Sequence, residues 1–305
     1  MHHEQKRKEQ LAIAAMTLAA MIWGSAFIVV RIALNAGLST SQILFFRFGL
    51  TTVVFALLFR KDLTRINRTD LLYGLSTGII LFLGFWTQTL ALRQTTPARN
   101  AFITSTYVVI VPLLGWLILR QKPALRIILG ACLSLAGIGL LSLDGAGGYG
   151  VNGGDLLTFI CAICFAGHFL MLEWSVHRVK TNTLLFLQMA ATTACSLLIL
   201  PFDRLFESTA VPLAGVQAPW TTGFLSILYL AIFSSGVAYF IQTTAQKHTT
   251  SAKAAIVLAA EALWGSFFSL LFGFETLTPR LAIGGLIIFL SILLVEWPGR
   301  KNSPG

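Results

Sequence analysis

Gln88–Ile103, QTLALRQTTPARNAFI, is written twice in this chain, the second time as Gln242–Val257, QTTAQKHTTSAKAAIV. At an offset of about 154 positions, Gln88, Thr89, Ala91, Thr95, Thr96, Ala98 and Ala101 meet the same residue types, and Arg93 and Arg99 meet lysines. The same offset carries Arg126 onto Arg280 and Gly130 onto Gly284, so the repeated unit is far larger than one motif. Weaker echoes lie outside it, with Ile22-Trp23-Gly24 against Phe165-Ala166-Gly167 and Phe45-Phe46-Arg47-Phe48 against Phe186-Leu187-Gln188-Met189. A duplicated half is the simplest reading.

The 305 residues are 56% hydrophobic and 11% charged, more apolar surface than one soluble core can hide. An integral membrane protein is the expected class. Its net charge of +10 comes from short Lys and Arg clusters between apolar runs, which suits loops facing an anionic leaflet and gives no continuous basic face for nucleic acid. Cys132, Cys161, Cys164 and Cys195 all fall inside apolar runs. The Cys161-x-x-Cys164 pair lacks a second pair or a histidine cluster, so no metal is expected, and no cofactor motif occurs. The start, MHHEQKRKEQ, resembles a basic leader, yet the apolar run after it is too long for a cleaved signal and is read as a retained first helix.

Apolar runs at 11–33, 43–59, 71–92, 99–119, 125–143, 155–176, 183–201, 220–241, 254–274 and 280–297 predict an all-α integral membrane protein of ten transmembrane helices. Alternating sides from a cytoplasmic N-terminus leaves only Arg31, Arg93, Arg99, Arg204 and Arg280 outside, with Arg47 inside a span and every other basic residue in the cytoplasm. Both termini are therefore expected in the cytoplasm. Five helices per half is odd, so the second half enters the membrane upside down and the repeat is an inverted five-plus-five. The expected units are 1–143, a glycine-rich outer linker at 144–154, and 155–305. The linker follows a helix and no strand, which argues against a phosphate loop.

Several short motifs keep a common order along this plan: Ile22-Trp23-Gly24-Ser25-Ala26-Phe27, Phe46-Arg47-Phe48, Val111-Pro112-Leu113, Ala260-Glu261-Ala262 and Gly273-Phe274-Glu275. Together they resemble the drug/metabolite transporter superfamily, in particular its EamA-type branch of small-metabolite exporters. That resemblance implies a central cavity between the halves that opens alternately to either side. Two departures stand out. Ala262 replaces a proline that many relatives carry after the ninth-helix Glu, which leaves Pro112 as the source of a kink in the first half only. Arg120-Gln121 stands where relatives have an acidic residue.

An ionisable side chain within the bilayer requires a partner or a wet cavity. Arg47, near the outer end of its helix, either receives a substrate carboxylate, or snorkels to the outer interface or bonds helix-end carbonyls as a structural strut. Glu261, too near mid-helix to snorkel, is expected to take a substrate ammonium or a coupling proton. His168 either joins a proton relay or serves as a neutral packing residue. Trp23, Trp86, Trp264, Tyr107 and Tyr239 either line an apolar cavity for aromatic or aliphatic groups or fill ordinary helix interfaces. Gln88 and Gln242 are candidate gate residues, with polar helix ends as the alternative.

No HExxH, GxGD or Ser/His arrangement supports an intramembrane enzyme, so no catalytic residue is assigned. The expected function is a secondary transporter for a small metabolite, an amino acid or similar amphipathic compound, in the cell (inner) membrane, with export implied by resemblance alone. Multidrug efflux is the alternative. Few intramembrane cations argue against a phosphorylated substrate. The expected partners are the substrate, the lipid bilayer and a coupling proton, with monomer and homodimer both open.

Overall fold

The computed structural model describes residues 2–95, 97–120, 122–142, 152–207, 219–271 and 279–296. Inside lipid a chain can satisfy its backbone only through helices or a closed barrel. Here it forms helices throughout the described residues. The first half comprises α1 (His2–Asn35), α2 (Thr40–Leu58), α3 (Arg68–Ala91), α4 in two pieces (Pro97–Ser105 and Tyr107–Leu119) and α5 (Leu125–Ser142). In the second half are α6 (Gly153–Val176), α7 (Thr181–Ile199), α8 (Trp220–Tyr229, Leu230–Val237 and Ala238–Ala245), α9 (Ser251–Leu258 and Glu261–Leu271) and α10 (Pro279–Glu296). Eight are long and apolar enough to cross a bilayer, and α5 and α10 add the shorter apolar helices Leu125–Leu140 and Ala282–Val295.

Polar residues just ahead of the apolar runs set several helix starts earlier than hydropathy alone suggests. Ser39 with Gln42, Asn67 with Asp70, and Asn152 with Asp155 each form a reciprocal capping box at the head of α2, α3 and α6. Gly37, at φ 88°, supplies the left-handed residue in the turn between α1 and α2. Most of the glycine-rich linker, and the whole of Gly273-Phe274-Glu275, lie outside the described residues.

Packing respects an exchange of the halves. α3 lies on α6 as α8 lies on α1, and α4 lies on α6 as α9 lies on α1. The pairs α2 with α7 and α5 with α10 map onto themselves. Small residues allow these approaches, since helices in lipid gain little from hydrophobic burial and rely on close contact. A Cβ on Gly78 would lie 2.5 Å from the Gln188 carbonyl oxygen, so α3 and α7 touch backbone to backbone there. Leu57, Leu117 and Leu198 point outward, as side chains with lipid for solvent do.

α4 and α9 are both broken, and at the same repeat position. Around Thr106 the ladder tightens, with the Thr106 N–H donating to Ile103 O at 3.2 Å and Val109 N–H to Thr106 O at 3.0 Å. Around Ala259 and Ala260 the ladder tightens likewise, through Ala260 N–H to Val257 O and Ala262 N–H to Ala259 O, both 3.2 Å. The expectation of a kink in the first half only is therefore corrected: α9 breaks without a proline. Packing supports its break, because Gly24 of α1 admits the α9 backbone so closely that a Cβ there would sit 2.6 Å from Glu261 O and 2.7 Å from Gly265 N. Backbone cannot yield as a flexible side chain can.

Gly24→Ala should consequently cost about 1–3 kcal/mol of stability through overpacking. Thermal unfolding in detergent is the measurement. Gly49→Ala, whose added Cβ meets only Thr193 Cγ2 at 3.5 Å, should leave the midpoint near wild type.

Candidate functional site

One face each of α1, α3 and α6 converges on the space between the halves. From α1 come Trp23, Ala26, Phe27 and Val30; from α3, Phe85, Gln88 and Leu92; from α6, Phe165, His168 and Phe169. These spacings of three, four and seven are single helical stripes. Arg47 of α2, Tyr107 of α4, Ser234, Tyr239 and Gln242 of α8, and Glu261 of α9 complete a cavity that holds, with its mouth, about 550 Å³ of empty space.

Arg47 stands eight residues into α2, since that helix starts at Thr40, and it is 1% exposed. A snorkelling arginine is thereby ruled out. Its Nε donates to Ser235 Oγ at 2.9 Å and its Nη2 to Ser234 Oγ at 3.0 Å. The guanidinium carbon also lies 4.8 Å from the Phe48 ring centre and 4.6 Å from that of Phe85. Among the described residues no carboxylate comes within ion-pair reach of it. The cation is thus solvated by two hydroxyls and two aromatic faces, and no described residue neutralises its charge.

The serines that hold Arg47 lie in the Leu230–Val237 segment of α8, which is wound as a π-helix, with the Ala238 N–H reaching back to Phe233 O. Such a widened turn leaves carbonyls for side chains to use. Trp23 Nε1 donates to Ser234 O at 3.0 Å and Thr51 Oγ1 to Ala231 O at 2.8 Å. Trp23 also rests on Tyr239, with ring centres 5.0 Å apart.

Glu261, 5% exposed, is the first residue after the break in α9. Tyr107 is the first residue after the break in α4, and its hydroxyl donates to Glu261 Oε1 at 3.1 Å. The repeat offset relates the two, so the bond joins equivalent positions of the two repeats. Gln88 and Gln242 are another equivalent pair in the same cavity. Gln88 Nε2 donates to Thr104 Oγ1 at 3.2 Å, whereas the buried Gln242 Oε1 has no partner among the described residues. His168 Nε2 meets Gln188 Oε1 at 3.3 Å, and Gln188 Nε2 donates in turn to Thr243 Oγ1 at 3.3 Å.

Two of the three tryptophans expected in the cavity do not line it. Trp86 is rotated off the Phe85, Gln88 and Leu92 stripe and packs against Phe82 and Phe206, at ring-centre distances of 6.4 and 5.0 Å. Trp264 packs beside Gly24 and against Phe267, at 5.8 Å. Phe27, Phe85, Phe165 and Phe169 take their place in the wall. Sequence reasoning also missed Ser234 and Ser235, which carry no motif and matter only because the chain brings them to Arg47.

Polar ties close each end of the bundle. At the α3–α4 end, the short helix Asp203–Glu207 after α7 reaches the head of α2. Asp203 accepts from the Ser39 hydroxyl, from Ser41 Oγ at 2.5 Å and from Ser41 N at 3.2 Å. Glu207 Oε1 accepts from Thr40 N at 2.7 Å and pairs with Arg93 at 3.1 Å. At the opposite end Lys253 pairs with Glu9, and Glu173 Oε2 accepts from Ser251 N at 2.8 Å. Glu173 thereby caps the head of α9.

The family model for the EamA-like transporter family matches residues 10–143 and 152–297. An "Uncharacterized transporter" of Archaeoglobus fulgidus is 33% identical over 290 residues, which is 95% of this chain and 87% of the relative. One of the same description from Methanothermobacter thermautotrophicus is 23% identical over 251 residues, 77% of this chain and 67% of the relative. A solved crystal structure superimposes with a TM-score of 0.74 over 93% of this chain and 96% of its own, at 19% identity, a likeness of fold alone. With two matched repeats that together span nearly the whole bundle, the chain belongs to the EamA-like transporter family.

Proposed function

We propose that this protein is a secondary carrier that exports a zwitterionic small metabolite, an amino acid or a compound of like chemistry, across the cell (inner) membrane by alternating access. The observation that carries the reading is a cavity with a cation that has no counter-ion among the described residues, Arg47, and a carboxyl bonded to a phenol in place of a cation, Glu261. A buried charge without a partner is costly. A substrate carboxylate on Arg47 removes that cost, and a guanidinium has five N–H donors, of which the two serines use two. Glu261 and the unpartnered Gln242 Oε1 can receive a substrate ammonium, and Glu261 can alternatively carry a coupling proton. The aromatic wall of Trp23, Phe27, Phe85, Phe165 and Phe169 accepts the apolar remainder. A hydrophobic cationic drug would use the wall and Glu261 but leave Arg47 without an anion, which favours the zwitterion over multidrug efflux.

The distribution of Lys and Arg supports both termini in the cytoplasm and the α3–α4 turn outside. Five crossings per half make the repeats inverted, and two such halves can exchange conformations to give inward and outward states of similar energy. Gln88 and Gln242, at equivalent positions of helices that reach opposite faces, suit the role of paired gate residues.

Purified protein in liposomes, screened with a labelled amino-acid mixture in counterflow, tests the reading. Arg47→Ala should weaken apparent affinity for carboxylate substrates by roughly 10- to 100-fold, the loss of about 1.5–3 kcal/mol expected for hydrogen bonds to a charged group. Unchanged affinity would remove Arg47 from the site. Glu261→Ala and Glu261→Gln should both abolish transport, and a Gln variant that transports with wild-type pH dependence would take Glu261 out of the mechanism.

A further inference from the structure

The two charged groups of the cavity enter it from different walls. Arg47 belongs to α2, which packs on α7 and α8, whereas Glu261 belongs to α9, which packs on α1 and α4. Each is fastened within its own wall, Arg47 to Ser234 and Ser235 of α8 and Glu261 to Tyr107 of α4. No ion pair joins them.

The space between them is aromatic. The Arg47 guanidinium carbon lies 4.6 Å from the centre of the Phe85 ring, and that ring meets the ring of Tyr239, its equivalent in the other repeat, at 6.0 Å. Tyr239 stands within electrostatic reach of both Arg47 and Glu261, while those two, the stronger charges, do not act on each other. It therefore lies between them. On the far side the ring of Tyr107, which holds Glu261, meets Phe169 at 5.2 Å. The cavity thus has a cation at one end, a carboxyl at the other and a pair of rings in the middle. An α-amino acid carries its carboxylate and its ammonium on one carbon, so placing either group on its partner leaves the opposite end of the cavity unanswered. A buried charge left in that way is costly.

We propose that the site is built for an ω-amino acid, a zwitterion whose carboxylate and ammonium stand at opposite ends of an aliphatic chain. The inference rests on the carrier reading above and narrows its substrate. The carboxylate takes the guanidinium N–H groups that the two serines leave free, the ammonium reaches Glu261, and the methylenes pass Phe85 and Tyr239. A chain of about four or five methylenes clears one ring pair and leaves a hydrogen bond of ~2.9 Å at each end.

Isothermal titration of the purified protein in detergent with glycine, β-alanine, γ-aminobutanoate, δ-aminopentanoate and ε-aminohexanoate tests the spacing. Affinity should rise along the series, and the two longest members should bind roughly 10- to 100-fold tighter than glycine, the gain expected when a second charged end finds its partner. Hexylamine and hexanoate keep one charged end each and separate the two contacts. The advantage of ε-aminohexanoate over hexylamine should vanish in Arg47→Ala, and its advantage over hexanoate should vanish in Glu261→Gln. Should either variant misfold, the wild-type series decides alone. Affinities that stay level along the series, tighter binding of glycine than of the long members, or ε-aminohexanoate no tighter than both single-ended compounds would each overturn the proposal. The carrier reading survives all three results and falls on a different one, the absence of counterflow for every α- and ω-amino acid.

Discussion

The hydrogen bond from Tyr107 to Glu261 joins one repeat position to its own counterpart, and the rest of the site depends on how that contact is made. Each partner is the first residue after a break in its helix, so both side chains leave the backbone where its ladder is already tightened. The two side chains bridge the second pieces of α4 and α9 inside the cavity. Gly24 makes the geometry available, because any larger residue would hold α1 away from the second piece of α9. The Ile22–Phe27 motif reads as a set of contacts around this point: Trp23 bonds α8, Gly24 admits α9, Ser25 lies 2.5 Å from the Tyr229 hydroxyl, and Ala26 and Phe27 face the cavity.

Lipid gives no help to a buried polar group, and the bundle meets that constraint unevenly. Many threonines and serines return their hydroxyl to a carbonyl one turn back, as Thr52, Thr192 and Ser196 do. Arg47 is different, since neutral hydroxyls and ring faces stabilise its orientation and leave its charge in place. The π-helical segment of α8 is the structural means. It widens the helix at Ser234 and Ser235 and frees carbonyls for Trp23 and Thr51, so α1, α2 and α8 are tied together around the guanidinium.

The ends of the bundle are held by charge-assisted contacts between elements distant in sequence. Asp203 and Glu207 bind the head of α2, where exposed N–H groups favour an anion, and Glu173 does the same for α9. These contacts are few and polar, while the helix interfaces are extensive and apolar. Ends of that kind can separate at less cost than the interfaces.

Sequence alone determined the class, the count of apolar crossings and the duplication, because hydropathy over some twenty residues and a repeated polar stretch are local signals. It also pointed to Arg47, Glu261, Tyr107, Tyr239, His168, Trp23, Gln88 and Gln242, since polar or aromatic residues at membrane depth are conspicuous against hydrocarbon, and the fold brings all eight to one cavity. Rotation about each helix axis was illegible. A membrane helix is apolar on its lipid face and its buried face alike, so the periodicity that orients a soluble helix is missing, and Trp86 and Trp264 turned out to lie off the cavity stripe. The break in α9 without a proline, the π-turn that carries Ser234 and Ser235, and the Asp203 clasp on α2 likewise required the tertiary structure. Each is set by contacts between residues far apart in the chain, and such contacts leave no local mark in the sequence.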